Sequence, residues 1–190
     1  MNTTQVKLLY NVLPAAVLRS VSASWPSVDW NGWHRYKGFT ADKYGLLHVS
    51  LLPEACREAI RLLAISVADM VEDSFIDYDL HAAGLHQIPP GGFLGRHQDA
   101  EKHPLRPWVR THSIILFLDN FQKEDGGSLV LEPDILITPE ANMAVVFQTP
   151  NTWHYVQKTA ETAPMRRTLA LFAWTESCGF EGATAARFEA

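Results

Sequence analysis

From residue 84 onward, this sequence is a succession of short apolar segments separated by turn-forming residues. Two of the segments are Ser113 to Asn120 and Val145 to Phe147, and the glycine pair Gly126-Gly127 stands between them. Short strands that alternate with turns indicate a sandwich or barrel rather than a parallel sheet. We therefore predict a mainly β fold (α+β) in which residues 84–176 form the core and a mostly helical region, residues 1–83, supports it.

The support region contains two segments with helical periodicity, preceded by a predicted short strand at residues 5 to 10. Pro14 can open the first helix, which Trp25-Pro26 would end. The second spans residues 53 to 72 and begins at a proline, which suits the first turn of a helix. Its apolar residues recur on one face, which we expect to pack against a sheet. The residues of this face are Cys56, Ala59, Ile60, Leu63, Ala64, Val67 and Val71.

Residues 25–45 combine many aromatic side chains with Gly32, Gly38 and Gly45. We interpret this stretch as an irregular layer packed over the sheet, because aromatic residues most often belong to a core. Two functional interpretations stay open: a lid that faces the substrate, and a surface on which bases stack. The acidic residues between positions 69 and 79 lack the spacing and the glycine of an EF-hand loop, so they predict a solvated face.

Composition argues against several classes of protein. A chain of 190 residues is expected to form one domain without disulfide staples. The formal charge of −5 argues against a nucleic-acid backbone as the main partner. Cys56 and Cys178 are too few for a disulfide framework, and the first residues do not resemble a signal peptide. No apolar run approaches the roughly 20 residues of a membrane helix, so we expect a cytoplasmic protein without a membrane partner.

The most informative local pattern is the pair His97 and Asp99, which follows a PPGGF turn. In an extended segment, side chains two apart project to one face, so this imidazole and this carboxylate would converge. A second imidazole, for which His154 is the candidate, would complete a facial set of two nitrogens and one oxygen that is typical of non-heme Fe(II) sites. The triplet alone is weak evidence. Before it, Gly91, Gly92 and Gly95 predict a tight turn with positive φ at one or more of them.

Further motifs follow in a fixed order between Leu85 and Trp174. They are the PPGGF turn, the H-x-D triplet, the strand Ser113 to Asn120, Gly126-Gly127-Ser128-Leu129, Pro139-Glu140-Ala141-Asn142, Val145-Val146-Phe147, His154-x-Val156 and Arg166-Arg167-Thr168. This order resembles the Fe(II)/2-oxoglutarate-dependent dioxygenase superfamily, in particular its prolyl 4-hydroxylase-like branch. The resemblance covers about the last 90 residues. It implies a double-stranded β-helix, or jelly roll, as the core, and Asn142 as a left-handed turn residue.

The resemblance also implies cofactors and their ligands. Fe(II) would be held by His97, Asp99 and His154, with 2-oxoglutarate as co-substrate and ascorbate as an accessory reductant. Arg166 is our candidate for the distal carboxylate of 2-oxoglutarate, with Thr168 beside it, because this pair is similar to the Arg-x-Ser pair of related enzymes. Strand alternation would send the neighbouring Arg167 to the opposite face, beside Leu169 and Leu171. Arg167 is the alternative candidate for holding the 2-oxoglutarate carboxylate.

One departure from the family concerns a tyrosine that helps hold the co-substrate in many relatives. The nearest position here is Phe117.

Two classes of function follow from these residues. The first is a dioxygenase that consumes 2-oxoglutarate and O2 and hydroxylates a C–H bond of an amino-acid, peptidyl or small-molecule substrate, releasing succinate and CO2. The second is a non-redox, cupin-like metal-binding β-barrel that isomerises or binds a small molecule. The pair Arg166-x-Thr168 favours the first, and Asp99 argues against a halogenase, which needs an open site there. The segment Ala100 to Thr111, with His103, Arg106, Trp108 and Arg110, is expected to lie beside the iron and select the substrate.

Overall fold

The computed structural model describes residues 5–71, 73–81, 83–177 and 184–189. The helices are α1 (Ala15–Ser24) and α2 (Glu54–Val67), and short 3-10 turns lie at Val49–Leu51, Ala68–Met70 and Lys123–Asp125. The strands are β1 (Val6–Tyr10), β2 (Trp33–Lys37), β3 (Ala41–Leu46), β4 (Phe75–Ile76), β5 (Gly84–Ile88), β6 (Phe93–Gln98), β7 (Trp108–Phe117), β8 (Leu129–Leu131), β9 (Ile135–Ile137), β10 (Met143–Gln148), β11 (His154–Val156), β12 (Arg166–Glu176) and β13 (Arg187–Phe188).

All of these strands join one antiparallel sheet that curls on itself. The order along its main path is β1-β10-β7-β12-β5-β3-β6-β11-β8-β9, with β13 beside β6, β2 beside β3, and β4 beside β12. Strands that are distant in sequence are therefore neighbours in space, and β6 meets β11 in this way. This mostly-strand, curled sheet confirms the predicted mainly β fold with a jelly-roll core.

Two apolar cores lie on the two sides of the curled sheet. One lies between the sheet and the helices, where Leu63 of α2 is packed with Leu169 and Leu171 of β12. The other lies inside the curl and includes Phe117 and Phe147. The face predicted for the second helix is the face that packs, although α2 ends at Val67 and a 3-10 turn continues the chain.

The first 83 residues contribute strands as well as helices. Residues 33–46 form a hairpin of β2 and β3, and β3 is part of the main sheet because it pairs with β5 and β6. The prediction of an irregular layer was therefore wrong for this stretch. Its small interior residues, Ala41 and Gly45, do not produce the apolar alternation by which a strand is usually recognised.

The turn that leads into β6 depends on glycine in two ways. Gly91 has φ +72°, which confirms the predicted positive φ at one of the three glycines. Gly92 and Gly95 instead allow a close backbone approach, since a Cβ at Gly92 would lie 2.6 Å from the Asp42 carbonyl oxygen. The hairpin therefore packs directly on the strand that carries His97. Asn142 has φ 66°, as its predicted turn role requires.

Among the described residues, neither helix is long and apolar enough to cross a lipid bilayer.

Candidate active site

The three predicted metal ligands meet at the junction of β6 and β11. His97 and His154 are directly opposite each other in this antiparallel pair, and their ring centroids are 4.1 Å apart. Asp99 follows the end of β6, and its Oδ1 lies 3.7 Å from Nε2 of His97 and 3.8 Å from Nε2 of His154. Both imidazoles are buried. In the described part of the chain, this is the group of three side chains that can hold a metal ion.

The backbone fixes which nitrogen each imidazole presents. Nδ1 of His97 lies 2.8 Å from the Gly95 carbonyl oxygen, and Nδ1 of His154 lies 3.0 Å from the Thr152 carbonyl oxygen. A carbonyl oxygen only accepts, so Nδ1 carries the hydrogen in both rings and donates it. The lone pair is then on Nε2, which points to Asp99 in both cases. Burial and the neighbouring His154 lower the pKa of His97 to about 4, so its ring is neutral at physiological pH.

Asp99 is held by its other oxygen. Ser113 donates a 2.5 Å hydrogen bond to Oδ2, and Nη1 of Arg110 lies 3.3 Å from the same atom. The Arg110 guanidinium is stacked 3.6 Å from the Phe172 ring centroid. Burial alone would raise the pKa of Asp99, but His154, Arg110, His97 and Ser113 together hold it well below its usual range. Asp99 is therefore an ionised carboxylate whose Oδ1 remains available to a cation.

Ser113 was not among the predicted site residues, and Arg110 was predicted to help select the substrate. Both side chains come from β7, and their contact with Asp99 depends on how the sheet folds, which the local sequence does not contain. Two further polar residues of the segment 100–111 also make contacts within the protein. His103 is buried with its Nε2 3.4 Å from Asp77, and Arg106 pairs with Asp79 at 2.9 Å. The substrate-selecting role predicted for this segment stays a prediction, whereas Asp77, which was predicted to belong to a solvated face, is buried.

Arg166 begins β12 and points into the curl of the sheet. Its Nε donates a 2.7 Å hydrogen bond to the Gly127 carbonyl oxygen, and its guanidinium lies 5.1 Å from the Phe117 ring centroid. Its Nη2 is buried and has no hydrogen-bond partner among the described residues. Burial lowers the pKa of Arg166 to about 10, against the opposing effect of Asp119, so the side chain stays charged at neutral pH. Thr168 is buried on the same face.

The neighbouring Arg167 lies on the opposite face, as alternation predicts. Its Nη2 is 2.6 Å from Oδ1 of Asp119, and its backbone nitrogen donates to the same carboxylate. Its guanidinium lies 5.7 Å from the ring centroid of Trp25. Arg167 is therefore already neutralised by an aspartate, whereas Arg166 is not.

A second cation, missed in the sequence, faces the same interior. Lys43 of β3 places its Nζ 3.1 Å from Nδ1 of His86 and 5.4 Å from the ring centroid of Tyr36. Burial lowers the pKa of Lys43 to about 8. The signal that could have identified it is the alternation of Ala41, Lys43 and Gly45, which places the lysine between two buried small residues.

One edge of the site is covered by the segment 184–189. Its strand β13 pairs with β6 opposite His97 and Gln98, and the Phe188 ring stacks on the His97 imidazole at 5.1 Å with an interplanar angle of 16°. Arg96 joins Glu189 at 2.5 Å. These contacts place an aromatic side chain directly beside one of the candidate metal ligands.

The residues present fit the metal and co-substrate that the sequence implied. Two imidazole nitrogens and one carboxylate oxygen are a donor set that suits non-heme Fe(II). A buried guanidinium with an unsatisfied nitrogen suits a carboxylate, which can accept two parallel hydrogen bonds from it. A place for a cation and a place for an anion thus border the same inner core, in which Phe117 lies near Arg166 and Phe147 lies near His154.

Comparison with known proteins extends these findings. Residues 83–174 match the family model of the 2OG-Fe(II) oxygenase superfamily, whereas no curated protein matches the sequence. Among solved structures, the chain is similar to a Pseudomonas putida prolyl-4-hydroxylase, with TM-score 0.63, 21% identity and coverage of 93% of this chain and 95% of that chain. It is also similar to a prolyl hydroxylase in complex with a hypoxia inducible factor oxygen degradation domain peptide fragment from Trichoplax adhaerens, with TM-score 0.62, 16% identity and coverage of 89% and 83%.

A third similar structure is HygX from Streptomyces hygroscopicus with nickel, 2-oxoglutarate and hygromycin B bound, with TM-score 0.57, 13% identity and coverage of 93% and 84%. At these identities the three structures establish the fold. The family match spans both the H-x-D triplet and its distal histidine, together with Arg166 and Thr168. Residues 83–174 therefore match the 2OG-Fe(II) oxygenase superfamily that the motif order predicted.

Proposed function

We propose that this protein is a dioxygenase in which His97, Asp99 and His154 bind Fe(II), and Arg166 and Thr168 bind 2-oxoglutarate. The observation that carries the proposal is the convergence of two Nε2 atoms on one carboxylate oxygen, 3.7 and 3.8 Å away, together with a buried arginine on the same inner side of the sheet whose Nη2 has no partner among the described residues. No described residue of the site favours the cupin-like alternative, because a protein that does not bind 2-oxoglutarate does not need this arginine to bind its carboxylate.

When bound, iron and 2-oxoglutarate supply the oxidation: O2 is split between succinate, formed with loss of CO2, and a new hydroxyl group on the substrate. The protein orients and protects the reactants. His97 and His154 present Nε2 because their Nδ1 hydrogens are donated to carbonyl oxygens. Asp99 presents Oδ1 because Ser113 and Arg110 hold Oδ2. Three protein ligands on one side leave the opposite side for the co-substrate and oxygen.

Arg166 and Thr168 would hold the distal carboxylate of the co-substrate. The carbonyl of Gly127 fixes the guanidinium through Nε, which leaves Nη2 to donate outward. The Thr168 hydroxyl is a second donor on the same strand face. Phe117, the position nearest to that of the tyrosine in many relatives, contributes an aromatic wall near the guanidinium and no hydrogen bond from its side chain.

For the prime substrate, we propose a C–H bond of an amino-acid, peptidyl or small-molecule compound. The similarity to two prolyl hydroxylases supports a peptidyl or amino-acid substrate, and the similarity to HygX, which binds hygromycin B, supports a small molecule. We further propose that the chain acts as one domain in the cytoplasm. The buried, free thiol of Cys56 supports a reducing compartment.

The test is succinate release from 2-oxoglutarate by protein loaded anaerobically with Fe(II) and then exposed to O2 with ascorbate. We expect slow succinate release that a true substrate accelerates, screened with pools of free amino acids, peptides and small metabolites. The Asp99→Ala variant is the matched negative. Full metal binding by the wild-type protein with no 2-oxoglutarate binding would contradict the proposal and favour the cupin-like alternative.

A further inference from the structure

Lys43 lies on the interior faces of the same group of strands as Arg166. On β3, alternation places Lys43 on the face of Ala41 and Gly45, both of which are buried. Gly45 pairs with His86 of β5, and His86 pairs with Thr168 of β12. Because paired residues share a face of the sheet, Lys43 and Arg166 border one interior from neighbouring strands.

Lys43 has no anionic partner there. Its nearest polar contact is Nδ1 of His86 at 3.1 Å, and its other contact is the face of the Tyr36 ring. In the described part of the chain, no carboxylate lies within ion-pair distance of Lys43 or of Arg166. Two cations without carboxylates in one interior repel each other, and a buried charge is costly unless it is paired.

Two charged groups affect the pKa of Lys43, and they belong to the two ends of the proposed site. Burial contributes most to the lowered pKa of Lys43, the Asp99 carboxylate raises it, and the Arg166 guanidinium lowers it. In the sheet, β3 lies between β5, which pairs with the strand of Arg166, and β6, which leads to Asp99, so Lys43 lies between the arginine end and the metal end. An anion that spans these two ends would neutralise Lys43 and Arg166 together.

We propose that Lys43 is a second cationic contact for 2-oxoglutarate, which positions the co-substrate between Asp99 and Arg166. The inference rests on the proposed function, because it assigns a further residue to the same pocket. One carboxylate of 2-oxoglutarate would face the metal and the other would face Arg166, and the Lys43 ammonium would add to the attraction for this dianion.

The experiment is calorimetric titration of 2-oxoglutarate into Mn(II)-loaded protein without oxygen, so that binding is measured without turnover. We expect Lys43→Gln to weaken 2-oxoglutarate binding at least tenfold and Lys43→Arg to restore most of the loss. Lys37→Gln is the matched control, since it removes the same charge from an exposed position of the same hairpin, and it should bind as the wild type does. Mn(II) affinity should be unchanged in all three.

Thermal unfolding distinguishes a binding role from a structural one. Removing an uncompensated cation should leave the melting temperature of ligand-free Lys43→Gln unchanged or higher, whereas loss of a structural lysine should lower it. Lys43→Met replaces Lys43→Gln if the latter does not fold. Binding within twofold of wild type by Lys43→Gln would overturn the inference alone, as would weak binding with a lowered melting temperature and no rescue by arginine. No 2-oxoglutarate binding by the wild-type protein would instead refute the proposed function, and the inference with it.

Discussion

The two faces of β12 are both buried, but they differ in what they bury. The face toward α2 carries Leu169, Leu171 and Ala173, whose side chains have no polar atom to satisfy. The opposite face carries Arg166 and Thr168, and Arg166 keeps an unsatisfied nitrogen among the described residues. An unpaired buried polar group costs about 1–3 kcal/mol. The first face therefore stabilises the fold, whereas the second retains a cost that the proposed anion would offset.

Substitution of the proposed metal ligands should have the largest effect of any change on the interior side. We expect His154→Ala to lose bound iron and activity together. Only two of the three proposed ligands remain in this variant, and a cavity replaces the third. Elemental analysis of protein reconstituted anaerobically with Fe(II) measures this, with one iron per chain expected for the wild type. His48→Ala is the control, since His48 is exposed and contacts Ser50 rather than the site. Full iron occupancy in His154→Ala would remove that residue from the ligand set.

The largest effect on the helix-facing side should be on stability alone. Leu171 is fully buried in the core between the sheet and the helices. Leu171→Ala should lower the free energy of unfolding by about 2–5 kcal/mol, as buried leucine truncations do. Denaturant unfolding measures the loss. The affinities for Fe(II) and 2-oxoglutarate should stay near those of the wild type while the protein is folded. A loss of affinity comparable in free energy to the loss of stability would mean that the two faces of β12 do not act independently.

The adjacent arginines give the sharpest comparison between faces. Arg166→Ala should raise the 2-oxoglutarate concentration needed for half-maximal activity at least tenfold, since losing one partner of a buried charge pair costs on the order of 2–5 kcal/mol. Arg167→Ala should change it little, because Arg167 is paired with Asp119 on the other face. Titrations of both variants with 2-oxoglutarate provide the ranking, and the reverse order would move the carboxylate site to Arg167.

These faces also show which features the sequence could predict. Alternation in residues 166–174 separated Arg166 from Arg167, and helical periodicity identified the face of α2, because both patterns are local. The contacts of Ser113 and Arg110 with Asp99 could not be predicted, since they depend on which strands become neighbours. Lys43 was missed because a polar residue between small ones was interpreted as part of an irregular layer. The strand register and strand order of the structure therefore identified these contacts, which the residue types alone could not.

A smaller effect is expected where the hairpin approaches β6. A Cβ at Gly92 would lie 2.6 Å from a backbone oxygen, so Gly92→Ala should destabilise the protein by about 1–3 kcal/mol, as overpacking does. Gly38→Ala is the matched control, because nothing lies within 4 Å of a Cβ there. Thermal unfolding of the two variants measures the difference. Equal melting temperatures would show that the hairpin is not packed on the strand as described.

The most direct test of the difference between the faces is the stabilisation of metal-loaded protein by 2-oxoglutarate. A ligand at 100 times its Kd should stabilise the native state by about 2.7 kcal/mol. We predict that Leu171→Ala has a lower melting temperature than the wild type but keeps the full 2-oxoglutarate shift. Arg166→Ala should keep the melting temperature of the ligand-free protein and lose most of the shift. A full shift in Arg166→Ala, or its loss in Leu171→Ala, would contradict the assignment of ligand binding to the interior face.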